Sequence, residues 1–376
     1  MVEDEIPATV HTVQYSDSRT MNPLSDESVD FVVTSPPYPM ISMWDSTFSQ
    51  QNEKIKTALD NERGELAFEL MNVELDKVWK EMYRVLKKGG IACINIGDAT
   101  RTINGVFQLY PNHSRITQYC RSLGFQSLPT ILWKKQTNAP NKFMGSGMLP
   151  PGAYVTLEHE YILILRKGEK RVFETEEEKI KRRESAFFWE ERNQWFSDIW
   201  IDVKGIRQQL ERAHTRERSG AYPFELAYRL INMFSTKGDT ILDPFLGTGT
   251  TTIAAIASER NSIGFEIDNT FQNLINTSIQ HSLPSINQYI KKRVDRHLEF
   301  IEERETEKSK LQFFNTHHGF RVMSSQEREI KIKPILSVSE RNKSFIACYA
   351  PVENILSQAE KTRLNTIERQ EKLLVH

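Results

Sequence analysis

The stretch from Val29 to Ile96 constrains the fold most. Val29-Asp-Phe-Val-Val-Thr34 is rich in β-branched and aromatic residues, which suit a buried strand. It runs into Ser35-Pro36-Pro37-Tyr38. Proline has no N–H to continue a ladder, so the strand must end in a rigid loop. From Glu65 to Lys88, Leu66, Leu70, Val73, Val78, Met82 and Leu86 recur at helical spacing, and Gly89-Gly90 supplies a stop. Ile91-Ala-Cys-Ile-Asn-Ile96 then reads as another strand, ending in Gly97-Asp98. Strand, helix and strand with short connections predict a βαβ unit of an α/β sheet.

The pattern continues. Arg115–Leu123 predicts a helix; Pro129–Trp133 and Glu160–Leu165 predict strands. Between those strands the glycine- and proline-rich loop Gln136–Pro151 is too long for a plain connector. From Arg166 to Arg218 acidic and basic residues alternate densely, with Phe187, Phe188, Trp189, Trp195, Phe196 and Trp200 interleaved. Phe224–Phe234 reads as a helix, Thr240–Asp243 as a strand, Thr251–Ser258 as a helix and Ser262–Phe265 as a strand. A long charged helix is expected over Ile286–Lys310. The tail mixes β-like runs, Ile330–Ser337 and Ser344–Tyr349, with a polar helical end.

Composition sets bounds rather than a function. The 376 residues allow one large domain with insertions or two domains. Hydrophobic residues at 39% and charged residues at 26% describe a soluble globular protein. No apolar run is long enough to span a bilayer. The acidic start, Met-Val-Glu-Asp-Glu-Ile, is unlike a secretory signal, so the expected compartment is the cytoplasm. A net charge of −1 neither predicts nor excludes a nucleic acid, because phosphates respond to local basic patches. Cys93, Cys120 and Cys348 are far apart and read as small buried or half-buried residues. His113, His159, His214, His317 and His318 show no ligand spacing, so no metal is expected.

Two constellations carry chemistry. In Asp243-Pro244-Phe245-Leu-Gly247-Thr-Gly249, between a strand and a helix, glycines permit a sharp turn and close ligand approach. The helix start favours a negative group such as a carboxylate. Glu266, ending the next strand about 20 residues on, suits two ribose hydroxyls. Neither the full Gly-x-Gly-x-x-Gly fingerprint nor a phosphate loop is present, so a nucleoside cofactor without phosphates fits best. In Ser35-Pro36-Pro37-Tyr38, two prolines fix the backbone, a hydroxyl is added, and a tyrosine supplies a flat face. Together they could clamp a planar group bearing an amino donor.

At this point the chain resembles the DNA amino-methyltransferases that modify N4 of cytosine or N6 of adenine. Ser35-Pro-Pro-Tyr38 is similar to that family's catalytic motif, and Asp243–Gly249 to its cofactor loop. Gly264-Phe-Glu266 resembles its ribose-binding strand end. Asp17 stands where the family often has a carboxylate near the cofactor adenine, and Tyr222–Leu226 is similar to the segment flanking the methionine end. The catalytic motif precedes the cofactor motif, as in the family's beta group. The resemblance covers roughly residues 12 to 280.

It implies a Rossmann-like S-adenosylmethionine-dependent fold, circularly permuted. The catalytic half would be residues 1–166, an inserted charged and aromatic region 167–218, the cofactor half 219–285, and a C-terminal extension 286–376. It implies S-adenosylmethionine as cofactor, held by Asp17, Asp243, Pro244, Phe245, Gly247, Gly249 and Glu266. It implies catalysis by Ser35, Pro36, Pro37 and Tyr38 on a base flipped out of duplex DNA at a specific target sequence. Serine before Pro-Pro points to cytosine N4, with adenine N6 as the alternative. A restriction endonuclease is an expected functional partner. Base reading is expected in Gln136–Pro151, Arg166–Arg218 or the tail, the first two being favoured because they lie between the motif halves; the second stretch can equally be a charged surface insertion pinned by an aromatic mini-core. Two other readings are methylation of an amino group in RNA or protein, and a DNA-binding regulator with a degenerate cofactor site. No cysteine follows a proline, which argues against a C5-cytosine reaction.

Overall fold

The computed structural model describes residues 8–135, 144–204, 222–307, 311–352 and 355–356. The first half of the chain supplies β1 (Ala8–Gln14), β2 (Val29–Thr34), β3 (Leu86–Ile96) and a hairpin of β4 (Ala99–Ile103) and β5 (Val106–Tyr110). It continues with β6 (Phe125–Ser127) and β7 (Ile131–Lys134). A short hairpin, β8 (Met144–Gly145) and β9 (Ala153–Tyr154), leads to β10 (His159–Lys167) and β11 (Ile199–Trp200). Later come β12 (Thr240–Asp243), β13 (Asn261–Phe265), the pair β14 (Phe313–Phe314) and β15 (Arg321–Val322), then β16 (Ile335–Arg341) and β17 (Ser344–Tyr349).

One mixed sheet organises the molecule, in the order β11-β7-β10-β3-β2-β12-β13-β1-β17-β16, with β6 also paired to β10. Its centre, β3-β2-β12-β13-β1, is parallel. Side chains of β2 alternate between two cores. Phe31 and Val33 join the core built with the helices Phe224–Phe234, Thr250–Ala257 and Leu283–Glu307. Val29 and Val32 join the core under the helix Gly64–Val85. A sheet covered on both faces needs strands that are apolar on both faces, which is why β2 and β3 read as continuous apolar runs.

The winding direction reverses between β2 and β12. From β2 the chain crosses to β3 on one side; from β12 it crosses to β13 on the other. Loops leaving the carboxyl ends of β2 and β12 therefore diverge and leave a crevice, the place where open α/β sheets bind ligands.

Several expectations need correction. The long helix stops at Val85, and Leu86 is already extended. Gly89-Gly90 lies inside β3, at an irregularity of its pairing with β2; Gly89 has φ +80°. The buried helix face is Ala67, Met71, Leu75, Val78 and Met82, whereas Leu66 and Val73 are exposed. Offsets of four, four, three and four track the 3.6-residue turn, and Leu66 and Val73 fall outside that stripe. Of the run Ile330–Ser337 only Ile335 onward is strand; before it Lys331 pairs with Glu184 and Lys333 with Glu259.

The C-terminal extension is integral to the fold. β17 pairs with β1, and Tyr349 Oη lies 2.7 Å from Thr9 Oγ1. In the long helix, Arg293 reaches both carboxylate oxygens of Glu191 at 2.6 and 2.7 Å, and His297 stacks on Phe188 at 3.8 Å. Phe188, Trp195 and Trp200 are buried in the main core, so these aromatics of the charged stretch face inward. Residues 136–143 of the long loop, residues 205–218 of that stretch with His214, and the polar end after Leu356 lie outside the described residues.

Candidate active site

A cleft of about 790 Å³ opens at the carboxyl ends of β1, β2, β12 and β13. It brings together ten of the eleven residues singled out from sequence: Asp17, Ser35, Pro36, Pro37, Tyr38, Asp243, Pro244, Phe245, Gly247 and Glu266. Gly249 is set back from the lining. It holds φ +89° as the residue that starts the helix Thr250–Ala257, a conformation a side chain would strain. Gly247, at φ +57°, faces open space where a Cβ would stand.

Asp243 is the knot of the site. Its Oδ1 accepts from Thr34 Oγ1 at 2.6 Å and from the Phe245 N–H at 3.0 Å. Its Oδ2 accepts from Tyr222 Oη at 3.1 Å and from the Thr251 hydroxyl. Burial raises its pKa, and these donors oppose that rise. Four satisfied bonds leave this carboxylate to bind the loop together; it ties the end of β2 to the end of β12 across 209 residues of sequence.

Glu266 bridges in the same way. Its two oxygens accept from the Gly247 N–H at 2.9 Å and the Asp268 N–H at 2.8 Å. Burial raises its pKa against these two bonds. An ionised carboxylate has about four lone-pair sites, so capacity remains for ligand hydroxyls. Asp17 sits in the cleft with both oxygens engaged by Arg19, whose guanidinium also reaches Glu74 at 2.5 Å.

Tyr38 is held by partners the motif alone did not indicate. Its hydroxyl donates to Glu160 Oε2 at 3.0 Å, receives Asn95 Nδ2 at 2.9 Å, and lies 3.1 Å from Ser35 Oγ. Asn95 Nδ2 also reaches Glu160 Oε2 at 2.7 Å, and Lys135 Nζ reaches Oε1 at 2.8 Å. Burial first, then the Glu160 charge, pushes the phenol well above its ordinary range, so it stays protonated. Gly97 makes room for the ring: a Cβ there would stand 3.0 Å from it. The one sequence signal for Glu160 is a carboxylate just before the apolar run Tyr161–Leu165 within β10.

The lining is acidic. Asp17, Glu74, Glu160, Asp243, Glu266 and Asp268 face it, against Arg19 and Lys135. Such a field suits a ligand carrying positive charge and disfavours phosphates. The aromatic residues Trp44 and Phe48 close one side.

The DNA methylase family of N6 and N4 methyltransferases matches residues 29–277. The type II methyltransferase M.MthZI of Methanothermobacter thermautotrophicus is 53% identical over 325 residues, covering 86% of this chain and 90% of that protein. M.MjaI of Methanocaldococcus jannaschii is 51% identical over 284 residues, covering 72% and 91%. Among solved structures, a Thermus thermophilus protein described as a putative DNA modification methylase, in complex with S-adenosyl-L-methionine, superposes with a TM-score of 0.56. Its identity is 33%, covering 73% of this chain and 97% of that one.

Proposed function

Because the chain belongs to the DNA methylase family of N6 and N4 methyltransferases, we propose that it transfers a methyl group from S-adenosylmethionine to N4 of a cytosine flipped out of duplex DNA. The observation that carries this reading is the meeting of Ser35–Tyr38 with the Asp243–Gly247 loop in one cleft.

The cleft fits the donor. Its acidic lining matches a molecule with sulfonium and ammonium charges. Glu266 is the group to hold the ribose hydroxyls, the open side of Gly247 takes the close backbone approach, and Asp17 is the carboxylate for the adenine end. When bound, S-adenosylmethionine would supply an electrophilic methyl group for in-line displacement, the S–CH3 bond breaking to leave a neutral thioether and the amino nitrogen releasing one proton to solvent.

The protein's part is positioning and electrostatics. A base inside a duplex cannot reach this cleft, so it must leave the stack. The Tyr38 ring stacks on it, worth about 1–3 kcal/mol and comparable to the unstacking cost. Ser35 Oγ and the Pro36 carbonyl accept hydrogen bonds from the exocyclic amino group. Drawing those hydrogens out of the ring plane localises a lone pair otherwise delocalised into the ring. Serine before Pro-Pro favours cytosine over adenine. The enzyme acts at a specific DNA sequence, as the protective partner of a restriction endonuclease.

The test is labelled S-adenosylmethionine with unmethylated duplex DNA, digested to nucleosides. Label in N4-methylcytosine supports the reading. Label in N6-methyladenine overturns the base assignment, and label in RNA or protein but not DNA overturns the substrate.

A further inference from the structure

Ser35 has to accept hydrogen bonds from the target amino group, yet a hydroxyl also carries a hydrogen that can point the wrong way. The contacts around Tyr38 decide where that hydrogen goes. A phenol has one hydrogen and two lone pairs. The carboxylate of Glu160 is the strongest acceptor within reach of Tyr38, at 3.0 Å. With its hydrogen committed there, the phenol oxygen can only accept from its other neighbours. Asn95 Nδ2 at 2.9 Å is one donor, and Asn95 has no other choice because that nitrogen carries only hydrogens. The 3.1 Å contact with Ser35 is then a hydrogen bond only if Ser35 donates.

We infer that Glu160, Lys135 and Asn95 are positioning residues that act through Tyr38 to turn the Ser35 hydroxyl hydrogen away from the substrate. Both remaining Ser35 lone pairs then face the cleft. Lys135 anchors the far oxygen of Glu160 at 2.8 Å, and Asn95 bonds its near oxygen at 2.7 Å, so the carboxylate cannot swing away. Glu160 is 8% exposed and Asn95 2%, which limits water at the Asn95–Glu160 bond, while the Lys135 side chain is half exposed. Tyr38 thus does two things: its ring is a stacking surface, and its hydroxyl sets the polarity of Ser35. This rests on the reading of Ser35 as the amino acceptor given above.

The experiment is a double-mutant cycle on the full-length protein. Single-turnover methylation of unmodified mixed-sequence duplex DNA is measured with labelled S-adenosylmethionine. Binding of the methyl donor is measured beside it by calorimetry, and folding by thermal unfolding. Ser35→Ala and Tyr38→Phe are each expected to slow methyl transfer about tenfold or more, the effect of one lost hydrogen bond to a polarised group. The double variant should be no slower than Ser35→Ala alone, because the phenol hydroxyl acts on transfer through Ser35 while Glu160 and Asn95 are its remaining partners. Glu160→Gln should slow transfer about threefold, by more than donor affinity falls, because the amide oxygen still accepts from Tyr38 but loses Lys135.

Additive losses, about a hundredfold in the double variant, would overturn the inference while leaving Ser35 as acceptor. A wild-type rate in Ser35→Ala would overturn the acceptor reading itself, and the inference with it. A wild-type rate in both Tyr38→Phe and Glu160→Gln, or rates that fall only in step with donor affinity and thermal stability, would reduce these residues to a structural role.

Discussion

Thr34→Val tests how the two halves of the site are joined. Valine keeps the branched shape and strand preference of threonine and removes one hydroxyl. Thr34 is fully buried and Asp243 is 2% exposed, so water cannot replace the lost bond. A hydrogen bond to a charged group contributes about 1.5–3 kcal/mol. Asp243 keeps three other donors, the Phe245 N–H, Tyr222 and Thr251, and so is not left stranded. The expected loss therefore lies at the lower end, about 1.5 kcal/mol. It should appear as a lower urea midpoint at unchanged m-value. Donor affinity and transfer rate should fall together, because the bond joins β2, which runs into Ser35, to β12, which runs into the cofactor loop. A midpoint shift worth less than about 0.5 kcal/mol, with unaltered kinetics, would refute the reasoning and show that packing alone holds the strand ends together.

The same pair carries a pH prediction. Burial raises the folded-state pKa of Asp243 above its ordinary 3.8. The folded chain therefore binds more protons than the unfolded one in the window above that value, and this group's contribution to stability declines as pH rises through it. Removing the Thr34 donor raises the folded pKa further, so the urea-midpoint gap between wild type and Thr34→Val should widen from about pH 4 toward pH 7; a gap that narrows would contradict the assignment. Glu266→Gln should weaken donor binding by about 1–3 kcal/mol in calorimetry, since a neutral amide replaces a charge-assisted acceptor; unchanged affinity would remove Glu266 from the ribose site. Because burial also raises the pKa of Glu266, wild-type donor affinity should start to fall on acidification above the ordinary carboxylate value of 4.5. Gly247→Ala should cost about 1–2 kcal/mol in stability from φ +57° and should lower donor affinity as well, because the new methyl enters the open side of the cleft; intact affinity would mean that space is not used.

The local elements and the two motifs follow from nearest-neighbour preferences along the chain. Pro36-Pro37 had to end a strand, and the glycines after Asp243 had to form a tight turn before a helix, because proline and glycine act on their own backbone. For the same reason Phe224–Phe234 and Thr240–Asp243 were legible to the residue. Where competing local preferences were close, the reading slipped. Gly89-Gly90 predicts a helix stop but lies within β3, at the irregularity between Leu86 and Ile91, which pair with β2 on either side. The apolar side of Gly64–Val85 was misjudged at Leu66 and Val73, because a helix face is settled by what packs against it.

How distant residues come to share one site depends on strand order in the folded sheet. Asn95 lies on β3 and Glu160 on β10, while Lys135 directly follows β7, and each alone reads as an ordinary polar residue. They converge on Tyr38 because β3, β10 and β7 are neighbours in the sheet. Likewise Thr34 and Asp243 meet because β2 and β12 pair across the point where the sheet reverses its winding. Local spacing encodes dihedral preferences and periodicity; strand order is a long-range outcome of burying both faces of the sheet.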